Sequence, residues 1–207
     1  MAGLFQLSID LPKDPHCAII CGQTNCGKTE FALDLLQSFY RDTFQYIVIL
    51  CPTIQYNKTY QSRPWVWGDP GVLVFDPTER LHDYLRALYK ILAGKQTLYL
   101  IDDCAASKAL TKKKEALSEL AFSGRHAGQS VWVLTQKYNS VLKDLREQTR
   151  WVALFHCKDR DSFQECLLEN DVIATKEERE SVKQQLAQTK HAKLLLKTDQ
   201  PTAYMIA

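Results

Sequence analysis

Eight residues near the start of the chain constrain its fold more than any others. Gly22-Gln23-Thr24-Asn25-Cys26-Gly27-Lys28-Thr29 spells G-x-x-x-x-G-K-[ST]; the apolar run Cys17–Cys21 leads in, and an amphipathic helical pattern follows from Thr29. That context predicts a strand, a tight loop and a helix in succession. Gly22 and Gly27 let the backbone fold tightly, so that successive N–H groups turn inward towards one anion. The N-terminus of the following helix adds its positive end. In a phosphate loop of this kind, residues 22–27 form the cradle for a nucleotide's phosphates. Lys28 reaches the β- and γ-phosphates, and the Thr29 hydroxyl is a ligand for Mg2+. A glycine-containing turn beside an ordinary lysine is the plainer reading, and the flanking strand and helix patterns weigh against it.

The rest of the chain continues the alternation. Short, nearly unbroken apolar runs occur at Cys17–Cys21, Tyr46–Cys51, Val72–Phe75, Leu98–Ile101, Val131–Leu134 and Trp151–Phe155, as expected of strands covered on both faces. Between them, Phe31–Tyr40, Leu81–Leu92 and Leu110–Phe122 place apolar residues at helical spacing. Helix starts are predicted at Thr78 and Thr111. Strand and helix in alternation imply an α/β fold around a mostly parallel sheet with right-handed crossovers. Gln55 to Gly71 reads as the longest loop. Thr175–Gln188 reads as a polar helix, and Lys193–Lys197 with Thr202–Ile206 as a small C-terminal β-hairpin around Thr198-Asp199-Gln200-Pro201. No repeat or linker interrupts the 207 residues, so one domain is expected, with a core over about 15–157 and an extension over about 158–207.

Composition narrows the partners. With 45% apolar and 24% charged residues the chain is of ordinary globular make-up. A net charge of +2 excludes a strongly cationic coat for nucleic acid, although not a local basic patch. No apolar run approaches the roughly 20 residues needed to cross a bilayer, so no membrane contact is expected. The start, Met1 to Asp10, lacks a charged-then-apolar leader, so secretion is not expected. The seven cysteines are odd in number and form no C-x-x-C pair, which suits buried free thiols in a reducing compartment. A zinc site from Cys17, Cys21 and Cys26 is disfavoured, because Cys26 falls inside the phosphate loop and no paired ligands follow.

Two further strands end in polar pairs. Thr97-Leu98-Tyr99-Leu100-Ile101 runs into Asp102-Asp103. Beside a phosphate loop, the first acid suits the metal shell and the second can polarise an attacking water. The doubled acid favours hydrolysis over transfer to an acceptor, the task of a kinase. Ser130-Val131-Trp132-Val133-Leu134 runs into Thr135-Gln136, and a glutamine amide there can donate to the γ-phosphate and accept from water. Arg125 precedes this strand, so one strand cannot point both residues into one site. If Arg125 touches nucleotide, it reaches a neighbouring subunit's site as an arginine finger does in trans. A surface salt bridge is its plainer reading.

These blocks in this order, GQTNCGKT, LYLIDDC, SGRHAGQSVWVLTQ and KDLREQTRWVALF, resemble the FtsK–HerA superfamily of P-loop ATPases. They look most like the genome-packaging ATPases of poxviruses, other large DNA viruses, virophages and Maverick elements. The resemblance covers roughly residues 15 to 157. It implies a RecA/FtsK-like fold and an ATP-driven translocase of double-stranded DNA. It also implies a homo-oligomeric ring, pentameric or hexameric, with a capsid portal or vertex protein as a further partner. The setting it implies is intracellular, at assembly sites in the host nucleus or cytoplasm. Lys28 and Thr29 carry over as phosphate and Mg2+ contacts, Asp102 as the metal acid, and Asp103 as the catalytic acid. Gln136 carries over as the sensor and Arg125 as the finger, with Arg146 and Arg150 as rivals. Many members have glutamate where Asp103 stands one methylene shorter.

Other segments are candidates for DNA contact. Lys108 and Lys112 to Lys114 could supply positive charge, or cover a solvated helix start. Tyr56, Lys58, Tyr60, Arg63, Trp65 and Trp67 could stack on bases, although such aromatics more often fold a long loop onto the core. Competing functions are a P-loop kinase of a nucleoside or metabolite, a cellular or plasmid DNA-transfer ATPase, and a non-catalytic nucleotide-binding scaffold. No arginine-rich lid speaks for the kinase.

Overall fold

A computed structural model describes residues 9–76, 81–104 and 115–207. Thr78, Lys108, Thr111 and Lys112 to Lys114 lie outside them. The expected alternation is present: β1 (Cys17–Cys21), α1 (Lys28–Gln37), β2 (Tyr46–Leu50), α2 (Lys58–Gln61), α3 (Pro64–Gly68), β3 (Val72–Phe75), α4 (Leu81–Ile91), β4 (Thr97–Asp102), α5 (Glu115–Ser123), β5 (Gln129–Thr135), α6 (Lys143–Glu147), β6 (Thr149–Phe155), α7 (Arg160–Glu169), α8 (Lys176–Gln188), β7 (Lys193–Lys197) and β8 (Ala203–Ile206). One eight-stranded sheet has the order β3-β2-β4-β5-β1-β6-β7-β8. The six strands from β3 to β6 are parallel, and β7 and β8 add to the β6 edge antiparallel. The expected hairpin thus continues the main sheet, and Leu194, Leu195 and Leu196 are fully buried in it. None of the described helices is long and apolar enough to cross a membrane.

Unbroken apolar strands form here because both faces are covered. Along β1, Cys17, Ile19 and Cys21 face one core with residues of α4, α5, α7 and α8. Ala18 and Ile20 face the other, with α1 and the aromatics Tyr40, Trp132 and Trp151. All seven cysteines are free, and all but Cys157 are buried.

The segment expected to be a long loop is instead structured. A 3-10 turn at Ile54–Tyr56 leads into α2 and α3. Asn57 caps α2 by accepting from the Thr59 N–H, and Pro64 opens α3, where its missing donor costs nothing. Ile54, Tyr60 and Val66 are buried, so tertiary packing pins turns too short to stand alone. Arg63 ties the segment to α1 through Glu30 and Asp34. The Trp67 ring nitrogen donates to the Tyr60 carbonyl, and Tyr56 is left exposed. Helix α8 follows the sequence closely: Thr175 and Glu178 form a reciprocal capping box. Helices α6 and α7 had no strong sequence signal.

His16 gives the fold a pH dependence. Its Nδ1 lies 2.7 Å from the Asp14 carbonyl and must donate, whereas its Nε2 accepts from the Trp132 ring N–H at 2.9 Å. Both ring nitrogens are committed to the neutral form, and burial lowers the pKa from 6.5 to about 4. Between those values the unfolded chain binds the proton that the native chain refuses, so stability falls as pH drops through that window. Complete titration removes about 3 kcal/mol from a shift of this size. Urea denaturation at pH 7 and pH 4.5 should show this loss in wild type and a smaller one in His16→Gln. Equal losses in both proteins would exclude His16 as the source.

Candidate active site

The order β4-β5-β1 brings three strand tips together, and the register sets them level: Cys21 pairs with Thr135 and Asp102 with Leu134. The loop leaves β1 from this shelf. Gly22 N–H donates to the Thr135 carbonyl at 3.1 Å, extending the ladder by one step. A Cβ on Gly22 would lie 2.6 Å from Phe155 Cβ and 2.7 Å from Cys26 Sγ, so only glycine fits. Asn25 and Gly27 take left-handed backbone, with φ of 61° and 100°, and α1 begins one residue later. The Phe31–Tyr40 pattern therefore gains its first turn from the loop itself. The N–H groups of Thr24, Asn25, Gly27 and Thr29 take no acceptor among the described residues. Donors grouped on a curled loop at a helix N-terminus are a fit for a polyphosphate. Cys26 is packed under the loop, where burial raises its pKa and keeps it a thiol.

Lys28 crosses the loop, with Nζ donating to the carbonyls of Gly22 at 2.8 Å and Gln23 at 2.9 Å. Thr29 Oγ1 donates to Asp102 Oδ2 at 2.9 Å across 73 residues of sequence. The same oxygen accepts from Tyr60 OH at 2.9 Å. Asp102 is only 4% exposed, and burial raises its pKa while the Thr29 and Tyr60 hydrogen bonds oppose the rise. A hydroxyl and a carboxylate side by side are hard oxygen donors that suit Mg2+, which takes few protein ligands beside phosphates and water. Among the described residues there is no cluster of three or more His, Cys, Asp or Glu side chains fit to hold a metal by themselves.

Asp103 steps out of the strand with φ of 53°, a left-handed conformation that Asp tolerates better than most residues. It is exposed, and Gln136 Nε2 lies 3.5 Å from its Oδ1. That distance is a contact more than a firm hydrogen bond. The structure thus gathers Gly22 to Thr29, Asp102, Asp103 and Gln136 at one end of the sheet.

Arg125 lies elsewhere. It sits in the 3-10 turn Gly124–Ala127, before β5, at the other end of the strand from Gln136. It is exposed and has no ion pair among the described residues. Its rivals are occupied: Arg146 holds Glu165 at 3.1 Å and Glu169 at 2.5 Å and lies over the Tyr138 ring. Arg150 holds Asp199 at 2.5 Å and also Asp14. A cavity of about 290 Å³ opens beside Arg125, lined also by His16, Gln129 and Arg150.

Sequence reasoning did not single out two residues at the site. Tyr60 was one aromatic among several, and nothing local distinguishes the ring that reaches Asp102. His191 lies in the extension, where no motif marks it, yet its Nδ1 is 2.9 Å from the Cys26 carbonyl.

Comparison with known proteins agrees with this architecture. The model of the Poxvirus A32 protein family matches residues 6–197. The genome packaging NTPase B204 from Sulfolobus turreted icosahedral virus 2, solved with AMPPCP, superposes with a TM-score of 0.66 at 17% identity, covering 95% of this chain and 98% of that one. B204 from Sulfolobus turreted icosahedral virus, described as a DNA-packaging ATPase, gives 0.66 at 16% identity over 94% and 97%. The pCW3 conjugation coupling protein TcpA gives 0.58 at 12% identity over 93% of this chain and 60% of that one. No curated protein sequence matches significantly. A family match running from before the phosphate loop into the C-terminal hairpin takes in nearly every element described above, and by it the chain belongs to the Poxvirus A32 protein family.

Proposed function

We propose that the chain is an Mg2+-dependent ATPase whose subunits form a ring that drives double-stranded DNA into a capsid, with a portal or vertex protein as its docking partner. The observation that carries the chemistry is the pairing of Thr29 and Asp102 beside a loop of open N–H donors, level with Asp103 and Gln136. Membership of the A32 family supports the viral setting. B204, of like fold, is described as a genome packaging NTPase and was solved with AMPPCP and with ATP-gammaS.

The loop N–H groups bind and orient the phosphates. Lys28 swings from the Gly22 and Gln23 carbonyls to the transferring phosphate and neutralises its charge. Thr29 and Asp102 would hold Mg2+, which supplies charge neutralisation across the phosphates when bound. Tyr60 keeps the Asp102 carboxylate oriented and away from bulk water. Asp103 orients a water and takes its proton, while the Gln136 amide beside it senses the phosphate. Arg125, displayed at the opposite end of β5, serves the site of an adjoining copy.

A kinase reading is the weaker one, because a second acid after β4 with the Gln136 amide 3.5 Å away suits hydrolysis better than transfer to an acceptor. The test is ATP turnover titrated with duplex DNA, read beside mass by light scattering. Turnover that rises with DNA, and whose rise weakens with salt, is the expected result. Phosphate transfer to a small acceptor by a monomer, unresponsive to DNA, would replace the translocase with a kinase.

A further inference from the structure

The turn between α8 and β7 reaches the phosphate loop, and its contact there is specific. His191 Nδ1 lies 2.9 Å from the Cys26 carbonyl oxygen, 165 residues earlier in sequence. A carbonyl only accepts, so Nδ1 carries the proton. The Cys26–Gly27 peptide is planar and trans, so its C=O and N–H point in opposite directions. Holding the carbonyl outward on His191 therefore turns the Gly27 N–H inward, towards the cradle.

Two features indicate that this contact is built rather than incidental. His191 is held at φ of 65°, a left-handed conformation costing a non-glycine residue about 1 kcal/mol, kept only where its surroundings over-determine it. A Cβ on Gly27 would meet His191 Nδ1 at 3.2 Å, so the loop glycine and the histidine are fitted to each other. The flanking structure anchors the turn. Ala192 N–H donates to the Thr189 carbonyl at 3.2 Å, and Lys193 Nζ lies 4.9 Å from the Phe31 ring centre and 5.7 Å from that of Phe155. Phe31 belongs to α1, and Phe155 packs against Gly22.

We propose that His191 is a positioning residue for the phosphate loop: it fixes the Cys26–Gly27 peptide so that the Gly27 N–H is presented to the nucleotide phosphates. The C-terminal extension is then a working part of the nucleotide site. This rests on the nucleotide reading above, and the test separates the two.

His191→Gly removes the donor and relieves the backbone strain, whereas His191→Asn keeps a side-chain donor and tolerates left-handed φ. ATP affinity is measured by calorimetry on the full chain, alongside KM, kcat and thermal midpoint. His191→Gly should weaken ATP binding and raise KM about tenfold, the order of one lost hydrogen bond, with kcat nearly unchanged and no loss of thermal stability. His191→Asn should bind within about threefold of wild type, since its donor preserves most of that bond. Wild-type affinity in His191→Gly would overturn the proposal, as would equal weakening in both variants. No ATP binding by the wild-type chain would instead overturn the nucleotide reading, and the proposal with it.

Discussion

A Lys28→Ala protein is expected to fold normally and to hydrolyse ATP at least about a hundredfold more slowly than wild type, the scale of losing one charged donor to the transition state. The fold should survive because Lys28 is partly exposed and its Nζ bonds within the loop itself, to the Gly22 and Gln23 carbonyls and, at 3.9 Å, to the Cys26 sulfur. Buried Asp102 loses one nearby favourable charge but keeps its Thr29 and Tyr60 hydrogen bonds, so the stability cost is about 1 kcal/mol. Phosphate release beside a thermal melt measures both quantities. Undiminished turnover in a folded Lys28→Ala protein would remove Lys28 from the chemistry and take the phosphate-loop reading with it.

The three arginines should separate by what they damage. Arg125→Ala removes an exposed cation that holds no carboxylate among the described residues, so its thermal midpoint should match wild type. If it acts on a neighbour's nucleotide, turnover should fall about 10^3-fold or more while ATP binding persists. Arg146→Ala should do the reverse. It leaves Glu165 and Glu169 facing each other without their cation, with a loss of about 2 kcal/mol after allowance for the partial exposure of both acids. Arg150→Ala should also act on stability, through Asp14 and Asp199. Mixing Arg125→Ala with Lys28→Ala subunits tests the direction of action. Boundaries that combine one intact loop with one intact Arg125 should regain activity. Absence of rescue at every ratio would place Arg125 outside the reaction.

Tyr60 shows why part of the site escaped sequence reading. Its hydroxyl meets Asp102 from 42 residues away, on a segment whose Pro, Gly and polar residues read as loop. The helices there are four and five residues long, too short to declare themselves through periodicity. The extension escaped for a related reason. Its hairpin was visible in the turn residues around Pro201, but turn chemistry says nothing about which sheet edge a hairpin will join.

What the sequence alone determined is whatever depends on neighbours along the chain. The glycine spacing compels a curled loop with converging N–H groups, the unbroken apolar runs compel strands covered on both faces, and acids following β4 compel carboxylates at a strand tip. The tertiary structure decided what depends on distance in space. The strand order set Asp103 beside Gln136, packing chose Tyr60 for Asp102 and His191 for the loop, and Arg146 and Arg150 formed ion pairs within the chain while Arg125 stayed exposed. Such pairings join residues up to 165 positions apart, and no local pattern encodes them, because they arise only when the sheet closes its two cores.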